Sequence, residues 1–281
     1  MYRFLLTEIF KEQNCTSEKE QKKILKRLSS EFIQLRNFYR GNYRKLDYSD
    51  VNVQYAYLLG YFPIYTEFLS QVLNHVQDTF DISDINDLIL CGGGPCPEII
   101  SLINYFNKAS IQQNQINITV IDNCPDNWDS SIRIVKRYIS SKHSISINQH
   151  IFLDDYTREG FRLRYYQTTP KLLVFQNTLS EVLQDNYDSI LTNIIQALKD
   201  LPEDSFLIVI DFDFHVIRKL YDEIDTLFSE YIEIRSGNLS WNSEMTQDSE
   251  LLKNNFFTTR EKARTKAKLM YLVIQKLEFF D

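Results

Sequence analysis

The chain has 281 residues, which is enough to bury a full α/β core with one appended element. Its residues are 43% apolar and 25% charged, which is ordinary for a soluble globular protein, and with 7 glycines and 6 prolines a long disordered linker is not expected. The formal net charge of −7 argues against a protein whose whole surface binds nucleic acid, and no apolar run has the length of a membrane-spanning helix.

The chain has four cysteines and four histidines, and their spacing limits which disulfides and metal sites it could form. The cysteines form no CxxC pair, and Arg3 and Glu8 interrupt the first ten residues, unlike a secretory leader. We therefore expect free thiols in a cytoplasmic protein. The histidines lie far apart in sequence, so no metal site is predicted.

Residues 1–80 are predicted to form a helical segment that acts as a substrate lid or an oligomerisation element. Ser17 followed by Glu20 is typical of a capping box at the start of an amphipathic helix. Residues 50–76 have helical periodicity, and Pro63 within them predicts a kink or a break.

Three tyrosines in this segment, Tyr57, Tyr61 and Tyr65, lie four residues apart and would share one helix face. One interpretation is that they pack in a core. The other is that Tyr61 or Tyr65 lines a substrate pocket and takes part in catalysis. The aromatic helices are also suited to a homodimer interface.

After residue 80, predicted strands alternate with predicted helices. The strands are predicted at 87–91, 116–121, 151–153, 171–175, 206–212, 231–235 and 269–274, and the helices near 98–107, 127–141, 178–199 and 214–229. This alternation predicts right-handed crossovers and an α/β domain over 81–281 with a mostly parallel sheet, closed by an antiparallel strand pair.

A glycine cluster, Gly92–Gly93–Gly94, follows the first strand and is followed by Pro95, Cys96 and, at the start of a helix, Glu98. Glycines between a strand and a helix allow close approach of backbone to a ligand, which then faces the helix N-terminus. In α/β proteins a nucleotide-like cofactor binds at this position.

Polar side chains follow the next three strands: Asp122 and Asn123, then Asp154 and Asp155, then Gln176 and Asn177. A carboxylate such as Asp122 accepts hydrogen bonds from the two vicinal hydroxyls of a ribose. A helix cap or a turn is the alternative interpretation of these acids. The glycines would also suit an NAD or nucleotide fold, although no GK[ST] and no third glycine at dinucleotide spacing is present.

The order of glycine loop, acid, polar strand end and terminal strand pair resembles a class I S-adenosylmethionine-dependent methyltransferase over about residues 87–281. The resemblance implies a Rossmann-like seven-stranded sheet with helices on both faces, S-adenosylmethionine as cofactor, and methyl transfer to a small molecule or peptide.

The resemblance also assigns cofactor roles to residues. The loop Gly92–Gly94, with Pro95 and Cys96, would hold the cofactor, and Asp122, with Asn123 beside it, would hold the ribose. Asp154 or Asp155 would meet the adenine amino group, and Gln176 and Asn177 would border the methyl donor and the substrate.

Two positions depart from the family pattern. Leu90 stands where the family has an acid that holds the amino-acid end of the cofactor, and Cys96 replaces the last loop glycine. Glu98 is a candidate substitute for that acid, although the helix dipole alone favours an acid there. These departures keep a non-catalytic binding protein open as an alternative.

Methyl transfer is an in-line displacement, for which the protein mainly holds the nucleophile and excludes water. The candidate catalytic residues are Tyr61, Tyr65, Asn177, Glu181 and His215. No (D/N)PP(Y/F) or Pro-Cys motif follows the fourth strand, so methylation of base amines or of pyrimidine carbon 5 is not indicated. Basic runs within 19–45 and 260–268 support the alternative of an RNA- or ribosome-associated methyltransferase.

Overall fold

The computed structural model describes residues 1–39, 46–123, 125–163, 169–228, 232–242, 250–257 and 266–277. The helices are α1 (Tyr2–Glu12), α2 (Glu18–Tyr39), α3 (Val51–Gly60), α4 (Phe62–Tyr65), α5 (Phe68–Val76), α6 (Pro97–Ala109), α7 (Asp129–Lys142), α8 (Leu179–Asp200), α9 (His215–Phe228) and α10 (Glu250–Asn255). The strands are β1 (Asp87–Cys91), β2 (Gln115–Asp122), β3 (Ser146–Leu153), β4 (Leu172–Gln176), β5 (Phe206–Phe212), β6 (Ile232–Asn242) and β7 (Lys266–Lys276).

The chain packs into two compact units, and neither is one continuous stretch. The helical unit consists of Met1–Glu67, Asp126–His143 and Asn242–Lys266. The sheet unit consists of Phe68–Pro125, Ser144–Trp241 and Ala267–Asp281. The predicted segments were 1–80 and 81–281. In the structure, α5 packs in the sheet unit, whereas α7 and α10 pack in the helical unit.

Hydrogen bonds explain two of these assignments. In the sheet unit, the Ser70 amide of α5 donates to Ser101 Oγ of α6 at 2.7 Å. In the helical unit, Gln54 Oε1 of α3 accepts from the backbone amide of Ser131 in α7 at 3.1 Å. Because buried polar groups require partners, each bond fixes its helix to the unit that supplies the partner.

The helical unit confirms the predicted local signals. The Ser17 amide donates to Glu20 Oε2 at 2.9 Å and the Glu20 amide donates to Ser17 Oγ at 3.3 Å, which is a capping box. Helix α3 ends at Gly60, and a new helix, α4, begins at Phe62 with Pro63 in its first turn. The proline thus breaks the helical run, as predicted, because it has no amide to donate.

The sheet has the order β3-β2-β1-β4-β5-β7-β6. Strands β1 to β5 pair in parallel, and β7 pairs antiparallel with β5. This confirms the predicted seven-stranded, mostly parallel α/β sheet. The third strand begins at Ser146 rather than at the predicted 151, because residues 146–150 lie at a sheet edge and are polar except for Ile147, so they carry little apolar signal.

Helices of the sheet unit cover both faces of its sheet. On one face, Leu173, Phe175 and Val209 belong to one core with α8 and α9. On the other face, Phe206 and Phe212 contact Phe80 and Phe68, at ring-centroid distances of 5.6 and 6.1 Å. The carboxyl ends of the parallel strands remain at one edge, where ligands bind in such folds.

A buried ion pair joins the amino ends of β1 and β4. Lys171 Nζ lies 3.1 Å from Asp87 Oδ2, and Asn117 and Thr169 also donate to the Asp87 carboxylate. Burial opposes the ionised form, but these hydrogen bonds hold the pKa of Asp87 below its usual value.

Replacing Lys171 with Met is expected to lower the free energy of unfolding by about 2 kcal/mol, because it leaves the partly buried Asp87 carboxylate without its cation. The loss should shrink as the pH falls and Asp87 becomes protonated. Urea unfolding at pH 7 and at pH 3, which is below the ordinary aspartate pKa of 3.8, measures both effects. Lys22→Met is the matched control, since the Lys22–Glu18 pair is solvent-exposed and its loss should cost no more than about 0.5 kcal/mol.

In the part of the chain described here, no helix combines the length and the apolar character needed to span a bilayer.

Candidate active site

The glycine loop leaves β1 through backbone conformations that side chains rarely adopt. Gly92 and Gly94 have φ of 67° and 47°, and Cys96 has φ of 58°. The Gly92 amide donates to Ile121 O of β2 at 2.8 Å, and the Cys96 amide donates to Gly93 O at 2.7 Å. Cys96, the residue in place of the last family glycine, therefore holds the left-handed conformation that favours glycine.

The loop has no room for side chains at its first two glycines. A Cβ at Gly92 would lie 2.8 Å from Thr178 Cγ2 and 3.3 Å from Tyr156 Cε1. A Cβ at Gly93 would lie 3.1 Å from Leu90 Cβ. The loop therefore presents bare backbone directly before the N-terminus of α6, which suits a ligand that approaches the main chain closely.

Asp122 ends β2 beside the loop. Its side chain is buried, and its Oδ2 accepts from the Gly94 amide at 3.3 Å. The predicted acid and the predicted loop are thus brought together in the sheet unit. Asn123 follows as an exposed residue.

The acids after β3 take part in a turn. Asp154 Oδ1 lies 3.2 Å from Arg158 Nη2. Asp155 Oδ1 accepts from the amide and hydroxyl of Thr157 at 2.8 and 2.6 Å. This is the turn that the sequence offered as the alternative interpretation, and the adenine contact stays a prediction.

Glu98 lies in the first turn of α6 and is 3% exposed. Among the described residues its Oε2 has no hydrogen-bond partner, and burial raises the pKa of its carboxyl group to about 8. Leu90, at the position of the family acid, is buried in β1. Glu98 is thus a buried acid near the loop with one carboxyl oxygen that the described residues do not satisfy.

The end of β4 supplies Gln176 and Asn177. Gln176 is buried, and Asn177 has φ of 55°. Both polar atoms of the Asn177 side chain are buried and find no hydrogen-bond partner in the part of the chain that the structure describes. A strained residue with an unsatisfied amide is a common sign of a ligand site.

Three residues at this edge of the sheet lacked a sequence signal. Tyr156 and Thr178 pack over Gly92, and Tyr156 also contacts Phe175 with ring centroids 5.5 Å apart. Asp211 in β5 is fully buried and accepts from the amides of Ser180 and Phe212 at 3.0 and 2.7 Å. Their positions depend on tertiary packing, and a strand-borne Asp within an apolar run resembles a structural residue.

Glu181, a predicted catalytic residue, follows Ser180 in the first turn of α8 and is exposed. The surrounding protein atoms, and then the charge of Asp211, raise the pKa of Glu181 to about 8. Burial raises the pKa of Asp211 to about 6 in spite of its backbone hydrogen bonds.

The remaining predicted catalytic residues are His215, Tyr61 and Tyr65. His215 is an exposed residue at the start of α9. Tyr61 and Tyr65 belong to the helical unit, are buried, and form a ring cluster with Tyr57 at centroid distances of 5.7, 5.8 and 6.1 Å. Their catalytic roles stay predictions.

The two basic runs of the sequence lie only partly within the residues that the structure describes. Arg40, Arg44, Lys45, Arg260, Lys262 and Arg264 lie outside the described residues. Within α2, Lys22 pairs with Glu18 at 2.5 Å, as on an ordinary solvated helix face. Across the described ranges, no group of three or more His, Cys, Asp or Glu residues is arranged to hold a metal ion.

Comparison by sequence finds no matching family model and no matching curated protein. Comparison by structure finds similar folds. One is a protein from Listeria monocytogenes described as a class I S-adenosylmethionine-dependent methyltransferase, with 10% identity, coverage of 100% of this chain and 88% of that one, and a TM-score of 0.46.

Two other similar structures have comparable values. The N-methyltransferase NodS from Bradyrhizobium japonicum has 14% identity, coverage of 77% of this chain and 97% of that one, and a TM-score of 0.41. An S-adenosylmethionine-dependent methyltransferase from Methanosarcina mazei has 12% identity, 73% and 98% coverage, and a TM-score of 0.40. Such similarity extends to the general fold alone.

The fold is therefore argued from this chain's own architecture. Its sheet order ends in an antiparallel β7, its glycine loop links β1 to α6, and a buried acid ends β2 beside that loop. The chain has a Rossmann-like α/β fold with a seven-stranded, mostly parallel sheet.

Proposed function

We propose that this protein is an S-adenosylmethionine-dependent methyltransferase acting on a small molecule or peptide. The observation that carries the proposal is the glycine loop, in which a Cβ at Gly92 would lie 2.8 Å from Thr178 Cγ2 and the buried Asp122 carboxylate accepts from the Gly94 amide at 3.3 Å. Bare backbone beside a carboxylate at the carboxyl edge of the sheet suits a nucleoside cofactor.

The residues present fit such a cofactor. The loop, with Pro95 and Cys96, would hold it by the main chain, and Asp122 would accept from the ribose hydroxyls, with Asn123 beside it. Asp154 or Asp155 would meet the adenine amino group. Glu98, whose Oε2 has no protein partner among the described residues, would accept from the cofactor's ammonium group in place of the acid that Leu90 replaces.

When bound, the cofactor supplies an electrophilic methyl group on a sulfonium. The chain's own residues then have three tasks, which are to orient the acceptor, to exclude water and to receive a proton. Asn177 would orient the acceptor through its unsatisfied amide. Tyr156 and Thr178, packed over Gly92, would wall the reacting end of the site.

Isothermal titration with S-adenosylmethionine and S-adenosylhomocysteine tests the proposal. Both are expected to bind, and Asp122→Ala should weaken both by about 10- to 100-fold, because it removes a charge-assisted acceptor. Asp129→Ala is the matched control, since Asp129 is an exposed acid of α7 whose side chain is 76% accessible. Absence of binding by both ligands would overturn the proposal.

A non-catalytic binding protein is the second candidate, favoured by the buried Leu90 and by the left-handed Cys96. A side chain at Cys96 crowds the loop where a glycine is usual. This candidate predicts cofactor binding without transfer, so methyl-labelled cofactor would stay intact with every acceptor. Label recovered on any acceptor would exclude it.

A further inference from the structure

Strand β3 lies at one end of the described sheet, so one of its two edges faces no strand of that sheet. Its neighbour in the strand order is β2, and the two strands pair in parallel over eight residues. A free edge presents backbone groups to other strands, and proteins commonly protect it with lysine, proline or other charged residues. Residues 146–153 contain no lysine, no proline and no charged residue. The edge therefore lacks the side chains that usually prevent pairing with another strand.

The hydrogen bonds to β2 show which backbone groups of β3 point outward. At the start of the ladder, the Ser146 amide donates to Asn114 O at 2.9 Å. Just after its end, the Asp154 amide donates to Asp122 O at 3.3 Å. Because backbone groups alternate in direction along a strand, even-numbered residues bond to β2 and odd-numbered residues direct their N–H and C=O groups away from it. The outward residues of the strand are Ile147, Gln149, Ile151 and Leu153.

The carboxyl end of β3 also exposes large apolar side chains. Ile151 and Phe152 are each 39% exposed, and Leu153 is 74% exposed. Since neighbouring side chains point to opposite faces of a strand, this apolar surface is present on both faces of the sheet edge. Covering it with a partner strand removes apolar area from water while the same strand satisfies the outward backbone groups. The edge is thus suited to an uncharged strand with apolar residues of its own.

A second copy of β3 has these properties and fits the edge in one antiparallel register. In this register Gln149 lies opposite Ile151 of the second copy. Ile147 then lies opposite Leu153 of the second copy, and a two-fold axis passes between the two copies of His150. All four outward residues of each copy exchange backbone hydrogen bonds, which no other antiparallel register achieves within 146–153. The strand is therefore complementary to itself.

The charge of the chain favours this edge as the contact between two copies. The formal net charge is −7, so the approach of two copies is opposed by repulsion between their surfaces. Repulsion is least where neither surface has a charge, and β3 is uncharged along its whole length. The register also places apolar Leu153 across from apolar Ile147, which is a favourable cross-strand pair.

We propose that two copies of this chain form a dimer by antiparallel pairing of β3 with β3, about a two-fold axis at His150. The two sheets then form one continuous sheet. An interface built on one strand pair lies at the small end of specific interfaces, about 1,200–2,000 Å², so the dissociation constant is expected on the order of 10 μM. The inference is independent of the proposed function. It differs from the sequence-based prediction of a dimer through the aromatic helices.

Cysteine cross-linking tests the register. In a non-hydrogen-bonded antiparallel pair the two Cα atoms lie about 4.5 Å apart, which is within the range of about 4.4–6.8 Å that a disulfide requires. His150→Cys is therefore expected to give a disulfide-linked dimer on mild oxidation of the full chain. Asn148→Cys is the matched control, because residue 148 is also exposed but its two copies would lie about 14 Å apart. Wild-type protein controls for the four native cysteines.

Sedimentation velocity over a concentration series measures the association itself. Ile151→Pro removes one outward N–H from each copy and keeps the bonds to β2, so it is expected to weaken the dimer about 30-fold, the effect of two lost hydrogen bonds. Ile151→Thr keeps the amide and the branched side chain and should weaken the dimer much less. Leu153→Lys places a charge against Ile147 of the second copy and should also weaken association.

Three results would contradict the proposal. The first is a chain that stays monomeric about 10-fold above the expected dissociation constant. The second is a dimer that His150→Cys does not cross-link or that Ile151→Pro leaves intact, since another surface would then hold the copies together. The third is a species larger than a dimer, because two-fold pairing closes after two copies. Urea unfolding verifies the fold of each variant, and Leu153→Lys, at an exposed position, decides the question if Ile151→Pro unfolds the chain.

Discussion

Replacing Glu98 with Gln is expected to stabilise the protein and, in the same variant, to weaken S-adenosylmethionine binding. Burial raises the pKa of Glu98 from its ordinary value of 4.5 to about 8, so folding forces this acid to keep a proton that the unfolded chain releases. At pH 7 this costs on the order of 3 kcal/mol, which glutamine avoids. The cofactor's ammonium, in contrast, requires the carboxylate.

The sign of the pH dependence follows from the raised pKa. Below pH 4.5 the acid is protonated in both the folded and the unfolded chain, so the two proteins should be equally stable there. The advantage of Glu98→Gln should then grow as the pH rises toward 8. Urea unfolding at pH 4 and pH 7 measures it, with Glu159→Gln as the exposed control.

Cofactor binding should show the opposite trend. Binding of an ammonium favours ionised Glu98, so the affinity of wild-type protein should rise between pH 6 and pH 8 as the proton leaves. Glu98→Gln should bind more weakly and should lose the part of this dependence that Glu98 contributes. An affinity that is unchanged by the substitution would mean that Glu98 is only a buried core acid and that another group holds the ammonium.

Most of the helices and strands could be predicted from the sequence, because the spacing of apolar residues indicates directly which side chains are buried. Strands β1 and β5 have the predicted bounds since, apart from Asp87 and Asp211, they are apolar and buried on both faces. Strand β3 was predicted too short because its ladder to β2 comes from backbone groups, which every residue supplies. The packing of α7 with helices of the first segment depends on single polar contacts such as Gln54 with Ser131, which have no periodicity.

Only some residues of the candidate site could be predicted from the sequence. The glycine loop and Asp122 follow from the rule that the carboxyl ends of parallel strands meet at one edge. Asp211 and Tyr156 follow from no such rule, because their roles arise from the helix they cap and the glycine they cover. In the sequence, Asp211 is recognisable only as a polar residue within an apolar strand.

Gly92→Ala is expected to cause a large loss of both stability and cofactor binding. Alanine at φ of 67° pays the cost of a left-handed conformation, about 1 kcal/mol. Its Cβ would also lie 2.8 Å from Thr178 Cγ2, an overlap that adds about 2 kcal/mol. The displaced loop would no longer present its backbone to the ligand.

Gly160→Ala separates the two costs. Gly160 has φ of 77°, but a Cβ there meets no atom within 4 Å, so this variant should lose only the conformational part and should bind S-adenosylhomocysteine normally. Equal losses for Gly92→Ala and Gly160→Ala would show that the space above Gly92 is not restricted. Urea unfolding and calorimetry give the two readouts.

Removing the methyl group that causes the overlap should rescue Gly92→Ala. Thr178→Ser deletes Cγ2 and keeps the hydroxyl, so in the double variant the alanine Cβ loses its nearest contact, while the Cβ of residue 178 and Tyr156 Cε1 remain 3.2 and 3.3 Å away. The double variant is therefore expected to recover about half of the overlap cost, a coupling of about 1 kcal/mol in a double-mutant cycle. Zero coupling would mean that the loop relaxes away from Thr178. The loss of cofactor binding would then come from the changed backbone conformation of the loop rather than from the overlap between the alanine Cβ and Thr178.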